Sequence, residues 1–185
     1  MVKQISNILH IMLLVFQIFI FFLTIGEIIH FAEKFDKIHN DYFFGIHLSE
    51  SDTPLTHIIV FCITILVMSL LFYLLNLFRK VILDFRKEFV FTEKNGKQLR
   101  KIAFGLIIIG LTILTVFLIF FPYKTNYEIS NANDNTIRWV YNLGLFVGKL
   151  TSLLFPIFIP ALFFMLISKL IKEGNIIKTE NDLTI

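Results

Sequence analysis

Four long stretches without charged residues constrain this 185-residue chain more than any other feature. Residues 4–26, 53–78 and 102–123 contain no Asp, Glu, Lys or Arg, and only Lys149 interrupts the stretch 139–168. At 1.5 Å per helical residue, the first three reach roughly 33–39 Å, enough to cross a hydrocarbon core of about 30 Å. Because lipid offers no partner for backbone polar groups, each stretch must be helical. The pattern predicts an all-α fold, a four-helix transmembrane bundle with short amphipathic extensions.

Composition supports a membrane protein made of one domain. Hydrophobic residues make up 56% of the chain and 23 residues are Phe, which leaves too few polar residues to cover a soluble domain of this size. We therefore expect a single integral membrane domain over residues 1–185 in contact with the lipid bilayer. Its predicted spans lie at about 5–29, 54–78, 102–123 and 140–171, with a polar segment at 79–101 and a tail at 172–185.

The basic residues predict the orientation. Of the 17 Lys and Arg residues, eight lie in the segment 79–101, three in residues 169–178 and one at Lys3, so twelve share one side. The positive-inside rule places that side in the cytoplasm, with both termini inside. This bias also accounts for the basic residues without nucleic acid, so we expect no direct nucleic-acid binding.

Few residues suggest catalysis. The chain has no nucleophile elbow, no phosphate-binding glycine loop and a single Cys, so we expect no enzyme activity and no cofactor. His30, His39, His47 and His57 lie among acidic residues in and around the first loop, but their spacing matches no metal motif. We expect solvated histidines and no metal, with metal binding as an open alternative.

Several residues inside the spans are unusual. Gln17 lies near the middle of the first span, where an interhelical hydrogen bond is the expected role. In the fourth span, Pro156 and Pro160 each remove a backbone donor, which predicts a kink or local unwinding. Gly144 and Gly148 form a small-xxx-small pattern that allows close approach of another helix.

The segment 79–101 and the tail carry the clearest local signals. An apolar stripe from Phe78 to Phe89 predicts a helix that leaves the bilayer or bends onto its surface, and Thr92 is a plausible N-cap for the next helix. The tail holds four apolar residues, Ile176, Ile177, Leu183 and Ile185, among polar ones. We expect the tail to pack on the segment 79–101, with Asp182 facing its basic residues.

Two short stretches resemble a known family. The first is a motif made of Phe91, Thr92, Asn95, Leu99, Arg100 and Ile102, and the second is the C-terminal Asp182, Leu183, Thr184 and Ile185. Glu173 and Gly174 also fit, whereas Ala103 stands where members often have Gly. The pattern resembles a bacterial family of four-span membrane proteins that is catalogued only as a domain of unknown function.

The resemblance implies a partner rather than an activity. Genes of that family often lie beside one for a small helix-turn-helix regulator. We therefore expect a non-enzymatic protein of the bacterial plasma membrane that binds a cytoplasmic partner such as that regulator. The motif residues would either tie the returning helix or present a docking surface. A small transporter or a peptide-toxin immunity protein is the alternative, and the oligomeric state stays open.

Overall fold

The computed structural model describes residues 2–34, 41–43, 46–48, 54–87, 90–120 and 135–183. In chain order these form α1 (Val2–Lys34), β1 (Asp41–Phe43), β2 (Ile46–Leu48), α2 (Pro54–Arg86), α3 (Glu93–Phe120) and α4 (Asn135–Leu183). Each of the four helices is long and apolar enough to cross a membrane. The all-α four-helix fold is therefore confirmed, and the chain is a multi-pass membrane protein.

A small hairpin is the one addition to the predicted architecture among the described residues. Strands β1 and β2 pair antiparallel, with Tyr42 opposite His47. Each strand has three residues, which is too short for an alternating hydrophobic pattern to stand out in the sequence. The hairpin follows α1 and precedes α2 in the chain.

The helices pack as antiparallel neighbours, α1 on α2, α2 on α3, and α3 on α4. The Ser6 hydroxyl of α1 donates a hydrogen bond to the Ile82 carbonyl of α2 at 3.1 Å. The Ser168 hydroxyl of α4 donates one to the Gly96 carbonyl of α3 at 2.7 Å. These contacts bring the start of α1, the end of α2, the start of α3 and the last part of α4 to one end of the bundle, called here the α2–α3 end.

The main core lies between α2, α3 and α4, and it reaches the α2–α3 end. Its buried residues recur every three to seven positions along α2 and α3, as expected for helix faces that meet, and Ile171 joins them from α4. Val81 is fully buried there. Helix α2 continues past the predicted span to Arg86, and Phe78, Val81 and Phe85 of the predicted apolar stripe pack in this core with α3 and α4. Phe89, the last residue of that stripe, lies outside the described residues.

Helix α1 packs on α2 through contacts that are spread along its own length. Ser6 bonds to α2 as described, Gln17 accepts a hydrogen bond from Arg79 Nη1 at 3.4 Å, and Phe31 stacks on Phe61 with ring centroids 3.9 Å apart. The predicted interhelical hydrogen bond of Gln17 is confirmed. Its partner is an arginine that the sequence assigned only to the basic cluster.

Helix α4 bears on two features of the fourth span. It runs as one helix through Pro156 and Pro160, so of the two predicted outcomes local unwinding is absent there, and a kink stays a prediction. Among the described residues, nothing lies within 4 Å of a Cβ built at Gly144 or Gly148. The small-residue pattern therefore mediates no close helix contact within the described part of this chain.

At Gly105 the backbone of α3 lies so close to Leu74 of α2 that no side chain fits between them. This contact gives a test of the fold. A Cβ at Gly105 would lie 2.5 Å from Leu74 Cδ2, and Leu74 is itself buried, so its methyl groups have no free space to enter. We expect Gly105→Ala to destabilise the protein by about 1–3 kcal/mol through overpacking, measured by thermal or SDS unfolding in micelles.

Gly144→Ala is the matched control for this prediction. It makes the same change in helix propensity, but a Cβ there meets no described atom within 4 Å. We expect it to leave the unfolding free energy unchanged or slightly raised. Equal effects of the two substitutions would contradict the proposed α2–α3 contact.

Candidate functional site

The motif that carries the family resemblance forms the start of α3. Thr92 Oγ1 accepts a hydrogen bond from the Asn95 backbone N–H at 3.2 Å, and the Thr92 carbonyl accepts one from the Gly96 N–H at 3.2 Å. This is the N-cap geometry, in which a hydroxyl satisfies a donor that the first helical turn leaves open. The predicted role of Thr92 as N-cap is confirmed.

Asn95 and Leu99 face inward. Asn95 has an exposed fraction of 0%, and its side-chain nitrogen lies 3.5 Å from the Val90 carbonyl oxygen. Leu99 is 2% exposed and belongs to the core with Val81 and Ile171. Asn95 thus contacts the connection between α2 and α3, and Leu99 joins α3 to the main core.

Phe91 packs onto α4 across a glycine. A Cβ added at Gly174 would overlap the Phe91 ring, so only glycine allows this contact. The ring remains 49% exposed on its other side. Two residues that the resemblance links only by sequence pattern, Phe91 and Gly174, are therefore direct neighbours in space.

The contact between Ser168 and Gly96 was not predicted from the sequence. Both residues are buried, and a Cβ at Gly96 would lie 3.4 Å from the Ser168 carbonyl oxygen. Small residues that bring two helix backbones together are typical of membrane helix contacts. Each of the two helices shows a small residue in the sequence, Gly96 in α3 and Ser168 in α4. The sequence does not show that these two residues face each other.

A cleft of about 390 Å³ opens beside this contact, between α3 and α4. Gly96 and Ser168 are its buried residues, and Phe104 and Met165 contribute apolar surface. Its charged lining residues are Glu93, Lys97, Arg100, Lys169 and Lys172. Four cations from two helices thus face one cleft that holds a single carboxylate.

Arg100 is the motif residue that is exposed at this cleft. Its guanidinium carbon lies 5.4 Å from the centroid of the Phe104 ring, which is the geometry of a cation–π contact. The ring holds the charged group near the mouth of the cleft without using its N–H donors. Arg100 is thus exposed at the cleft, and a docking role of the motif stays a prediction.

The tail is only partly where the sequence predicts it. Gly174 packs on Phe91, but α4 continues as a helix to Leu183, and Ile176 and Ile177 are 46% and 59% exposed. About half of each of these isoleucines is exposed, so beyond Gly174 the packing of the tail on the segment 79–101 stays a prediction. Thr184, Ile185 and the side chains of Asp182 and Leu183 lie outside the described residues.

The acidic and histidine residues bring no further site together within the described ranges. Among those residues, no group of three or more His, Cys, Asp or Glu side chains lies close enough to hold a metal ion. His39 lies outside the described part of the chain, as does the side chain of His47. The candidate site is therefore the α2–α3 end, with its cap, its cleft and the exposed extension of α4.

The cap gives a direct test. We expect Thr92→Ala to destabilise the first turn of α3 by about 1 kcal/mol, because the Asn95 N–H loses its acceptor. Amide exchange at Asn95 and Gly96 should then be about fivefold faster, measured by hydrogen–deuterium exchange in micelles. Thr92→Ser retains the hydroxyl and is the control. Equal exchange in the two variants would contradict the cap.

Comparison with known proteins gives one family. A family model described as "Protein of unknown function (DUF2975)" matches residues 45–185, a range that includes the cap, the cleft and the Gly174 contact. No curated protein and no solved structure matches the chain. The predicted membership in a family of unknown function is confirmed, whereas the motif that suggested it stays a prediction. The chain belongs to this DUF2975 family of proteins of unknown function.

Proposed function

We propose that this membrane protein is a non-enzymatic component that binds a cytoplasmic protein through its α2–α3 end. The carrying observation is the extension of α4, which continues about 22 Å past Ser168 to its end at Leu183. Lys172, Lys178 and Glu180 are exposed along it, as expected of a helix in water. Ile176 and Ile177 are exposed on the same stretch.

Two adjacent exposed isoleucines on a polar helix favour a partner that covers them. Ile177 follows Gly174 by three residues and so lies on the same helix face, one turn beyond the Phe91 ring. Apolar contacts surrounded by charged residues are the usual anatomy of a protein-binding surface. This arrangement supports a protein partner better than a small substrate, which would need an enclosed pocket.

Charge distribution supports a cytoplasmic location for this end. The contacts of Ser6 with Ile82 and of Ser168 with Gly96 bring the basic residues of three chain segments to one end of the bundle. Such an excess is typical of the cytoplasmic side of a bacterial plasma membrane. The partner that the family resemblance suggests, a small helix-turn-helix regulator encoded nearby, is itself cytoplasmic.

A photo-crosslinking residue at Ile177 tests the proposal in native membranes. We expect an adduct with the regulator encoded beside the gene. We also expect Ile176→Ser with Ile177→Ser to weaken regulator binding about tenfold or more, because two apolar contacts are lost. The matched control is Leu143→Ser, which replaces a residue of similar exposure, 47%, in the first part of α4.

Two outcomes would contradict the proposal. A reporter at the C-terminus that is active only outside the cytoplasm would place the α2–α3 end on the wrong side. A probe at Leu143 that captures an exported peptide, with no regulator adduct at Ile177, would favour the immunity protein instead.

A further inference from the structure

The cleft between α3 and α4 has a charge that its own residues do not balance. Lys97 pairs with Glu93 at 2.7 Å, and Lys169 lies 4.0 Å from Glu173. Among the described residues, neither Arg100 nor Lys172 has an acidic partner within ion-pair distance. Lys97 is the main cause of the lowered pKa of Glu93, and Lys172 contributes to it from a greater distance without forming an ion pair. Two cations, one from each helix, can therefore still reach an anion in the same cleft.

The apolar lining lies on one side of these cations on both helices. On α3, Phe104 follows Arg100 by one turn, and Ile108 continues the same face and is 55% exposed. On α4, Met165 precedes Lys169 by one turn, and Leu162 continues that face and is 62% exposed. Because the two helices are antiparallel, both faces lead from charge at the α2–α3 end to apolar surface toward the middle of the bundle.

This order matches the chemistry of a phospholipid. A phosphate accepts hydrogen bonds from a guanidinium and an ammonium group, and the planar guanidinium suits two of its oxygens at once. The acyl chains then extend along the exposed apolar faces below. A soluble phosphate would use only the charged half of the cleft and leave the apolar half without a role.

We propose that the α3–α4 cleft is a binding site for the headgroup of an anionic phospholipid. Arg100 and Lys172 contact the phosphate, and the faces that begin at Phe104 and Met165 contact the acyl chains. The Ser168–Gly96 contact keeps the two walls of the cleft at a fixed separation. Basic pockets between membrane helices are a known type of site for anionic headgroups. The site requires only membrane insertion and does not depend on the proposed protein partner.

Lipid titration of the purified protein, followed by native mass spectrometry, tests this site. We expect phosphatidylglycerol to bind about tenfold more tightly than phosphatidylcholine. Arg100→Gln with Lys172→Gln should remove most of that preference. The matched control, Lys80→Gln with Lys87→Gln, changes the charge equally at two exposed positions near the same end and should retain the preference.

Two outcomes of this titration would overturn the proposed lipid site. Equal losses in the two double variants would overturn it, because the preference would then come from overall charge. Inorganic phosphate bound as tightly as phosphatidylglycerol would also overturn it, because the apolar faces would contribute nothing. Arg100→Gln alone replaces an exposed side chain and leaves the core intact, so it repeats the test if the double variant does not fold.

Discussion

The close packing of α3 against α4 is the contact on which the rest of the structure depends. In lipid, apolar side chains gain little by leaving the acyl chains, so close backbone approach and interhelical hydrogen bonds must hold the helices together. Gly96 and Ser168 supply both, with a 2.7 Å hydrogen bond across a position that has no side chain. The same approach brings Leu99 and Ile171 into one core and turns Arg100 toward the cleft.

The four helices therefore contribute unequally to the hydrophobic core. Within the described residues, both hydrophobic clusters contain side chains of α2, α3 and α4 only. Helix α1 is outside them and exposes long apolar side chains such as Phe22, 65% exposed. In water such a helix would not stay folded on the surface, whereas lipid solvates it and its backbone bonds internally. The family match begins at residue 45, so it covers the three helices of the core and excludes α1.

The sequence predicts the four helices and the Thr92 cap because these follow from local composition and from the needs of one helix at a time. It fails where the answer depends on which faces meet. Gly96 and Gly144 are both glycines within helices, but only Gly96 has described atoms of another helix beside it. An apolar residue such as Val81 suits a position against lipid and a position against a neighbouring helix equally well. Hydropathy therefore does not show which of the two covers it. The cleft also needs two helices in register, which spacing along one chain does not fix.

The two arginines Arg79 and Arg100 show why counting charges predicts orientation but not function. Both contribute equally to the positive-inside bias. Arg79 faces α1 and donates a hydrogen bond to Gln17, so its guanidinium binds another part of the protein. Arg100 lies over Phe104 with its donors open to the cleft. The difference arises because α1 covers the α2 face at Arg79, whereas Arg100 lies on a part of α3 that lines the cleft and remains exposed. Packing therefore decides which basic residues are left to meet a ligand.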